Sequence, residues 1–514
     1  MPDMPGRPDY WNIGYPLLGT LVYSLMLIGA VAIAYGLYKR WRMWRLGRPD
    51  PELGSWIERT RRFVTPAILD ILVHRRFVRR EVYAGLMHLF LFTGMIVLFG
   101  ATVIDALESN FHHWLPWDFP TSRFRLQEGL VWDIFGGGFA AIGLGMALYR
   151  RYVLRPPRLN TVLDDGVVLS ILGGLILTGF LVEGLRHAAT LREPTSEFYA
   201  PGQAYWEPIG FVVSLIFAPL SRYATEWLHF WSWWFHAGLL AALFVYVALR
   251  FSKISHILIS PANVYLRPLR AKGVLRPALA AAGSDGAGAA DITDFTWKQL
   301  LDLDACTNCG RCEDSCPAWA SAKVLSPRKL MQDLRAYMEE RSAQPIGSNG
   351  NAPAPPRDMN RDAVTTRVLW SCTTCRACME VCPVFISHVD AIVDMRRRLV
   401  YDGEMDAQLQ SALENLGRYG NSFGQSGRRR GRWTQDLDVE VKDATKEPVE
   451  YLWFVGDYAS YDAGLPDITR ATARVFHMAG LDFGILYADE RNAGNDARRV
   501  GEEGLFEEMV EQNA

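Results

Sequence analysis

All eight cysteines of this 514-residue chain fall into two short runs. The first places Cys306, Cys309, Cys312 and Cys316 before Pro317, and the second Cys372, Cys375, Cys378 and Cys382 before Pro383. Three thiolates this closely spaced wrap one cubane iron–sulfur cluster, and the fourth of each run reaches across to the other cluster. The spacing therefore assigns Cys306, Cys309, Cys312 and Cys382 to one [4Fe–4S] cluster. Cys372, Cys375, Cys378 and Cys316 go to a second. Zinc sites take two ligand pairs with a gap between them, not this run twice over. A disulfide framework would not gather every cysteine into two such clusters.

Two complete copies make the bacterial two-cluster ferredoxin pattern, whose chemistry is one-electron transfer. No nucleophile, acid–base dyad or nucleotide fingerprint accompanies it. Gly136-Gly137-Gly138 lies inside an apolar stretch and reads as helix packing, not as a phosphate loop. The 55 residues between the runs include a helix-like segment, Pro327–Arg341, and a Pro/Gly/Asn-rich stretch at 345–357 that reads as a surface loop.

The second chemistry-bearing type is histidine inside apolar sequence. His88 and His236 lie well within long uncharged runs, where polar groups are expensive and tend to be functional. Bis-histidine ligation of a b-type haem from facing helices would satisfy both imidazoles; hydrogen-bonded bundle histidines are the bland alternative. His74 and His256 offer a second haem site. His74 and His88 are fourteen residues apart, close to four helical turns, and so share a face of one straight helix. For His256 to join His74, the last membrane helix must bend or end near Ser252. His229 rivals His236 by position. His187, with Glu183 and Arg186, reads first as an ion pair and second as a group for quinone or proton chemistry.

These residues need elements to position them. Apolar runs at roughly 16–38, 82–105, 130–149, 166–186 and 229–251 are long enough to cross a bilayer at about 20 residues each. Pro208–Leu220 is too short and reads as interfacial or re-entrant. From Lys39 to Arg80 twelve Lys or Arg face four Asp or Glu. Arg150, Arg151, Arg155 and Arg158 make a second basic connection, and Arg250 to Lys272 a third. Placing all three in the cytoplasm puts the N-terminus outside and the cysteine domain inside, with five spans. That position also argues against nucleic acid as the partner of the basic block. The first apolar run meets Lys39-Arg40 and not a small-residue cleavage site, so it reads as a retained span.

The five-span, histidine-bearing bundle resembles the nitrate reductase gamma-subunit type of cytochrome b. Joined to a dicluster domain, it resembles the membrane-bound heterodisulfide-reductase-like iron–sulfur oxidoreductases, nearest to the electron-transferring-flavoprotein dehydrogenases that reduce menaquinone. The resemblance implies that His88 and His236 ligate an outer haem, and His74 and His256 a cytoplasmic one. The family also carries a C-terminal Cys-Cys-Gly region that binds an unusual catalytic cluster. Here the chain departs: the segment Leu452–Asp457 has Asp457 where the family has cysteine, and Glu490–Arg499 has Asn492 in the cysteine position. A carboxylate and an amide do not replace thiolates on such a cluster, so no third cluster is expected from this chain alone.

The expected architecture is a membrane all-α bundle at 1–260 and a linker at 261–295, centred on the Gly/Ala-rich Ala280–Ala290. An α-helical ferredoxin-like domain with two [4Fe–4S] clusters follows at 296–400, then a linker at 401–445. A partial, cysteine-less α/β domain occupies 446–514, with strands at Tyr451–Val455 and Phe483–Tyr487, a helix at about 467–479 and a C-terminal helix. The expected function is electron transfer between a cytoplasmic donor, such as electron-transferring flavoprotein, and membrane quinone, through two clusters and one or two haems b. The rival is a non-catalytic electron-transfer subunit whose catalytic chain is encoded separately and completes the C-terminal domain.

Overall fold

The computed structural model describes residues 11–13, 17–111, 129–192, 202–251, 253–278, 288–343 and 357–514. The expected loop at 345–356, most of the Gly/Ala linker and Ser252 lie outside them. Among the described residues, five helices are long and apolar enough to cross a membrane: α1 (Leu17–Trp44), α2 (Val82–Phe111), α3 (Val131–Leu154), α4 (Leu163–Thr190) and α5 (Arg222–Arg250). Leu27, Ile28, Val31 and Tyr35 on α1 are exposed, as suits side chains that meet lipid. Between α4 and α5, the helix Pro208–Ser214 runs on to Phe217, an apolar piece too short to span.

Small residues draw the spans together. A Cβ on Gly94 or Gly143 would overlap the backbone of Ala140 or Leu91, so α2 and α3 touch main chain to main chain. Gly36 does the same for α1 against Ala248 of α5. Ion pairs fix the bundle at one end. Glu81 accepts from Arg150 at 3.1 Å, Arg151 donates to Asp165 at 2.5 Å, and Asp165 also pairs with Lys253. Glu81, Arg150, Asp165 and Lys253 thereby stand at a common level.

That end rests on the cysteine-bearing half. The helix α5 stops at Phe251, whose backbone is left-handed (φ 45°), and α6 (His256–Tyr265) leads away. The helix α7 (Trp297–Ala305) is capped by Thr296, which accepts from the Gln299 amide, and is clamped by the chain after α1. Arg48 exchanges backbone hydrogen bonds with Phe295 and Trp297. Asp304, fully buried, accepts from Arg40 at 3.3 Å and from Trp44 Nε1 at 2.8 Å. Asn263 of α6 donates to Asp302 at 2.8 Å. One core holds Met43, Phe251 and Ile259 together with Leu300, Leu330 of α8 (Pro327–Ser342) and Met395 of α9 (His388–Tyr401). Membrane and cysteine halves are thus packed as one body.

At the C-terminal end, β1 (Lys442–Asp443), β2 (Tyr451–Leu452) and β3 (Phe483–Ile485) form a parallel sheet in the order β1-β3-β2. The helix α10 (Pro466–Met478) connects β2 to β3, as parallel neighbours require. Two further helices follow, α11 (Asn495–Val500) and α12 (Glu503–Asn513).

Candidate redox site

Each cysteine run begins at a turn whose shape repeats. Asn308 and Gly310 in the first, Thr374 and Arg376 in the second, all have positive φ, at matching positions. The turn then enters a short helix, Arg311–Asp314 or Ala377–Val381, which carries the third cysteine inward. The buried thiol of Cys312 feels Cys306, Cys309 and Cys382 as its nearest thiol neighbours, whereas Cys378 feels Cys372, Cys316 and Cys375. The fourth cysteine of each run therefore crosses to the other. Among the described residues, no three sulfurs lie within 4.8 Å of one another. Four thiolates on one zinc ion would sit about 3.8 Å apart at a Zn–S bond of about 2.3 Å, so the open spacing suits a cubane better. Burial pushes the thiols of Cys306, Cys312, Cys372 and Cys378 up, and Cys382 to about 12. Bare thiolates are disfavoured here, and a bound cation would supply the charge that deprotonates them. The Thr374 amide already points at Cys372 Sγ (3.3 Å) and the Ile386 amide at Cys382 Sγ (3.5 Å).

The membrane half encloses a cavity of about 890 Å³, lined by His88, His229, His236 and His256 among apolar side chains. His236 Nδ1 is hydrogen-bonded to the Thr178 hydroxyl at 2.8 Å. His256 Nδ1 meets the Lys253 carbonyl, and His74 Nδ1 the Leu72 carbonyl at 3.1 Å. In His236 and His256 an engaged Nδ1 leaves Nε2 as the coordinating nitrogen, the usual state of a metal-bound imidazole, whereas His74 Nε2 is taken up by His88. Burial lowers the pKa of His74 and of His256, which keeps both in the neutral form. These residues fit a b-type haem.

Their grouping differs from the expected pairs. His74 and His88 do not share one straight helix: the chain breaks at His74, which has φ 55°, and restarts at Val82. His74 folds back so that its Nε2 lies 2.8 Å from His88 Nδ1, while His256 stands 5.9 Å from His88 by ring centroids. A left-handed residue other than glycine costs about 1 kcal/mol or more, a strain typical of functional positions. The expected end of α5 near residue 252 is observed. His88 is six residues into α2 and His236 fourteen before the end of α5, a difference in level of about 12 Å at 1.5 Å per residue. Three histidines thus gather at the cysteine end, with His236 a step deeper and His229 two turns beyond it.

At the far end of the cavity lies a buried polar group that the sequence half disclosed. Arg186 donates to Glu207 at 2.6 Å, and His187 Nε2 lies 2.8 Å from the same carboxylate. Glu183 is 3.9 Å from Arg186. Glu207, like Thr178, escaped attention in the sequence. Thr178 could have been found as one of two hydroxyls, with Ser170, in an otherwise apolar run, but Glu207 had no local signal.

In the C-terminal unit, Asp457 and Asn492 face each other. Asn492 Nδ2 donates to Asp457 at 2.6 Å, Arg430 donates to Asp457 at 3.0 Å and to Glu490 at 2.7 Å, and the Val455 and Gly456 amides donate to Glu490 at 2.9 Å. The network ties both carboxylates to Arg430, with no thiolate in it.

Residues 305–386 match the 4Fe-4S dicluster domain family. The EtfAB:quinone oxidoreductase of Syntrophomonas wolfei is 32% identical over 99% of this chain and 73% of its own length. A Bacillus subtilis protein named as a probable iron-sulfur-binding oxidoreductase, FadF, is 33% identical over 84% of this chain and 64% of its own. One polypeptide of the dihydromethanophenazine:CoB–CoM heterodisulfide reductase of Methanosarcina barkeri is 29% identical over 41% of this chain and 50% of its own. No solved structure matches. With a relative this similar along nearly its whole length, the chain belongs to the heterodisulfide-reductase-like iron–sulfur oxidoreductases.

Proposed function

We propose that this chain is a membrane electron conduit between a soluble donor and quinone. The observation that carries the reading is the direct packing of the eight-thiol domain against the end of a histidine-lined apolar cavity. Cys306, Cys309, Cys312 and Cys382 would hold one [4Fe–4S] cluster, and Cys372, Cys375, Cys378 and Cys316 the other. His88, His236 and His256 would hold haem b, with His74 hydrogen-bonded to His88. The levels of these side chains favour His88 with His256 for the haem near the cysteines, His74 supporting His88 from behind, and His236 for one deeper in the bundle. Such groups, when bound, supply one-electron chemistry, while the protein sets spacing, dielectric and hydrogen bonds.

At the other end of the cavity, Glu183, Arg186, His187 and Glu207 offer the donors and carboxylates that a quinone ring needs for hydrogen bonding and proton uptake. The basic loops favour a cytoplasmic cysteine domain, where electron-transferring flavoprotein is the donor suggested by the Syntrophomonas relative's name. The limits 1–260 and 296–400 follow this division of labour, while the C-terminal unit expected at 446–514 also takes in β1 and Arg430 from the expected linker at 401–445.

A second reading, a non-catalytic electron-transfer subunit, is favoured by the Asp457–Asn492 pair. The unit that carries it would then dock a separately encoded chain with the catalytic centre. Quinone reduction by the purified chain with reduced flavoprotein distinguishes the two: turnover supports the enzyme, and its absence with intact clusters and haem supports the subunit.

A further inference from the structure

Between the first cysteine run and the three-histidine group lies one side-chain stack. Phe77 is nearly parallel to His88, with ring centroids 5.3 Å apart and planes 9° apart, and it also touches His74 at 5.6 Å. The guanidinium of Arg311 sits 4.5 Å from the centre of the Phe77 ring. Arg311 immediately precedes Cys312 and is buried. Its charge is held in place by Glu81, 3.5 Å away, which also pairs with Arg150 and Arg158. Burial alone would raise the Glu81 carboxyl, but Arg158, Arg311 and Arg150 hold it below its ordinary value, so the anchor stays ionised. Beside this stack, Arg76 donates to the Cys382 carbonyl at 3.2 Å and lies 3.8 Å from the Phe385 ring centre.

The second run is placed otherwise. Cys375 is exposed, whereas Cys312 and Cys382 are buried. Its turn is held from the C-terminal side, where Arg499 donates to the Thr374 hydroxyl at 2.5 Å and to the Thr373 carbonyl at 2.6 Å.

We propose that Phe77 and Arg311 form the contact through which the Cys306/Cys309/Cys312/Cys382 set is coupled to the membrane histidines, so that this set is the membrane-side one and the Cys375-bearing set receives electrons from the soluble donor. Phe77 fills the gap with polarisable atoms instead of water, and electron transfer weakens steeply as such a gap opens. Arg311 is a positioning residue whose charge favours the reduced, more negative state of the adjacent set. With both groups bound, one electron would cross this contact, given up by the thiolate-held centre and taken up by the histidine-held one, with no bond or proton changing place. The inference rests on the conduit reading above.

The test uses the detergent-purified full chain in a redox titration followed by electron paramagnetic resonance, the two cluster signals being assigned with Cys309→Ser and Cys375→Ser. Arg311→Gln is expected to move the midpoint of the Cys309-linked signal downward and leave the other in place; Arg499→Gln is the mirror case. Phe77→Leu is expected to slow haem reduction by reduced viologen several-fold in stopped flow, with haem content, iron content and both midpoints retained. A shift of only the Cys375-linked signal in Arg311→Gln, or an unchanged haem reduction rate in Phe77→Leu, would overturn the proposal. A chain without haem would overturn the conduit reading itself, while the Arg311→Gln titration still reports which set this charge serves.

Discussion

Asn492 and Asp457 are hydrogen-bonded to each other at 2.6 Å in a site that also holds the buried Arg430 and Glu490. Arg430 bridges the two buried carboxylates of this network, Asp457 and Glu490. Removing Asp457 keeps the Arg430–Glu490 pair but leaves an Arg430 N–H, the Asn492 amide and the Ser422 backbone N–H without their acceptor, at a cost of roughly 1–3 kcal/mol for a buried donor. Asp457→Ala is therefore expected to expose the C-terminal unit to limited proteolysis while iron content stays unchanged. Equal protease resistance in the variant and the parent chain would count against the network as its structural anchor.

The two thiolate sets give separable outcomes. Cys309→Ser and Cys375→Ser should each disturb one cluster, lowering cluster iron from about eight per chain toward about four. Quantifying iron and acid-labile sulfide checks this. Full retention of iron in both variants would mean that neither residue is a ligand.

His388 begins α9 fully buried, and burial pushes its pKa down from 6.5 to about 4. The folded chain keeps this imidazole neutral, so its contribution is complete above the unfolded value. As pH falls below about 6.5 the unfolded state takes up the proton first and stability is lost, on the order of 2 kcal/mol by about pH 5. Thermal melting followed through cluster absorbance should fall more steeply with acid in the parent chain than in His388→Gln. Parallel curves would remove His388 as the cause.

Much of this site could be read from residue spacing because its chemistry is local. A CxxCxxC run needs its ligands within a few residues, so Cys306 to Cys316 and Cys372 to Cys382 declare themselves. Five spans follow from length and hydropathy, and the positions of α10 and β3 from ordinary periodicity. The grouping of the histidines did not follow, because it depends on a chain break. Spacing alone treats His74 and His88 as points on one helix, whereas the left-handed backbone at His74 folds it onto His88. Glu207 and Phe77 act across long sequence separations, on Arg186 and Arg311, and no local pattern announces such partners. The bond between Asp457 and Asn492 was invisible for the same reason.

The polar group at the far end of the cavity carries its own expectation. Glu183→Gln removes a carboxylate and keeps the shape, so quinone reduction should slow several-fold with haem and iron contents unchanged. An unaltered rate would place proton uptake elsewhere.

The most direct test of the conduit is a reduced-minus-oxidised optical spectrum of the detergent-purified chain, with haem and iron quantified per protein. The expected result is a b-type spectrum with one or two haems per chain, diminished in His88→Ala and in His236→Ala while about eight iron atoms remain in the clusters. A chain that holds its cluster iron but shows no haem signal would contradict the account.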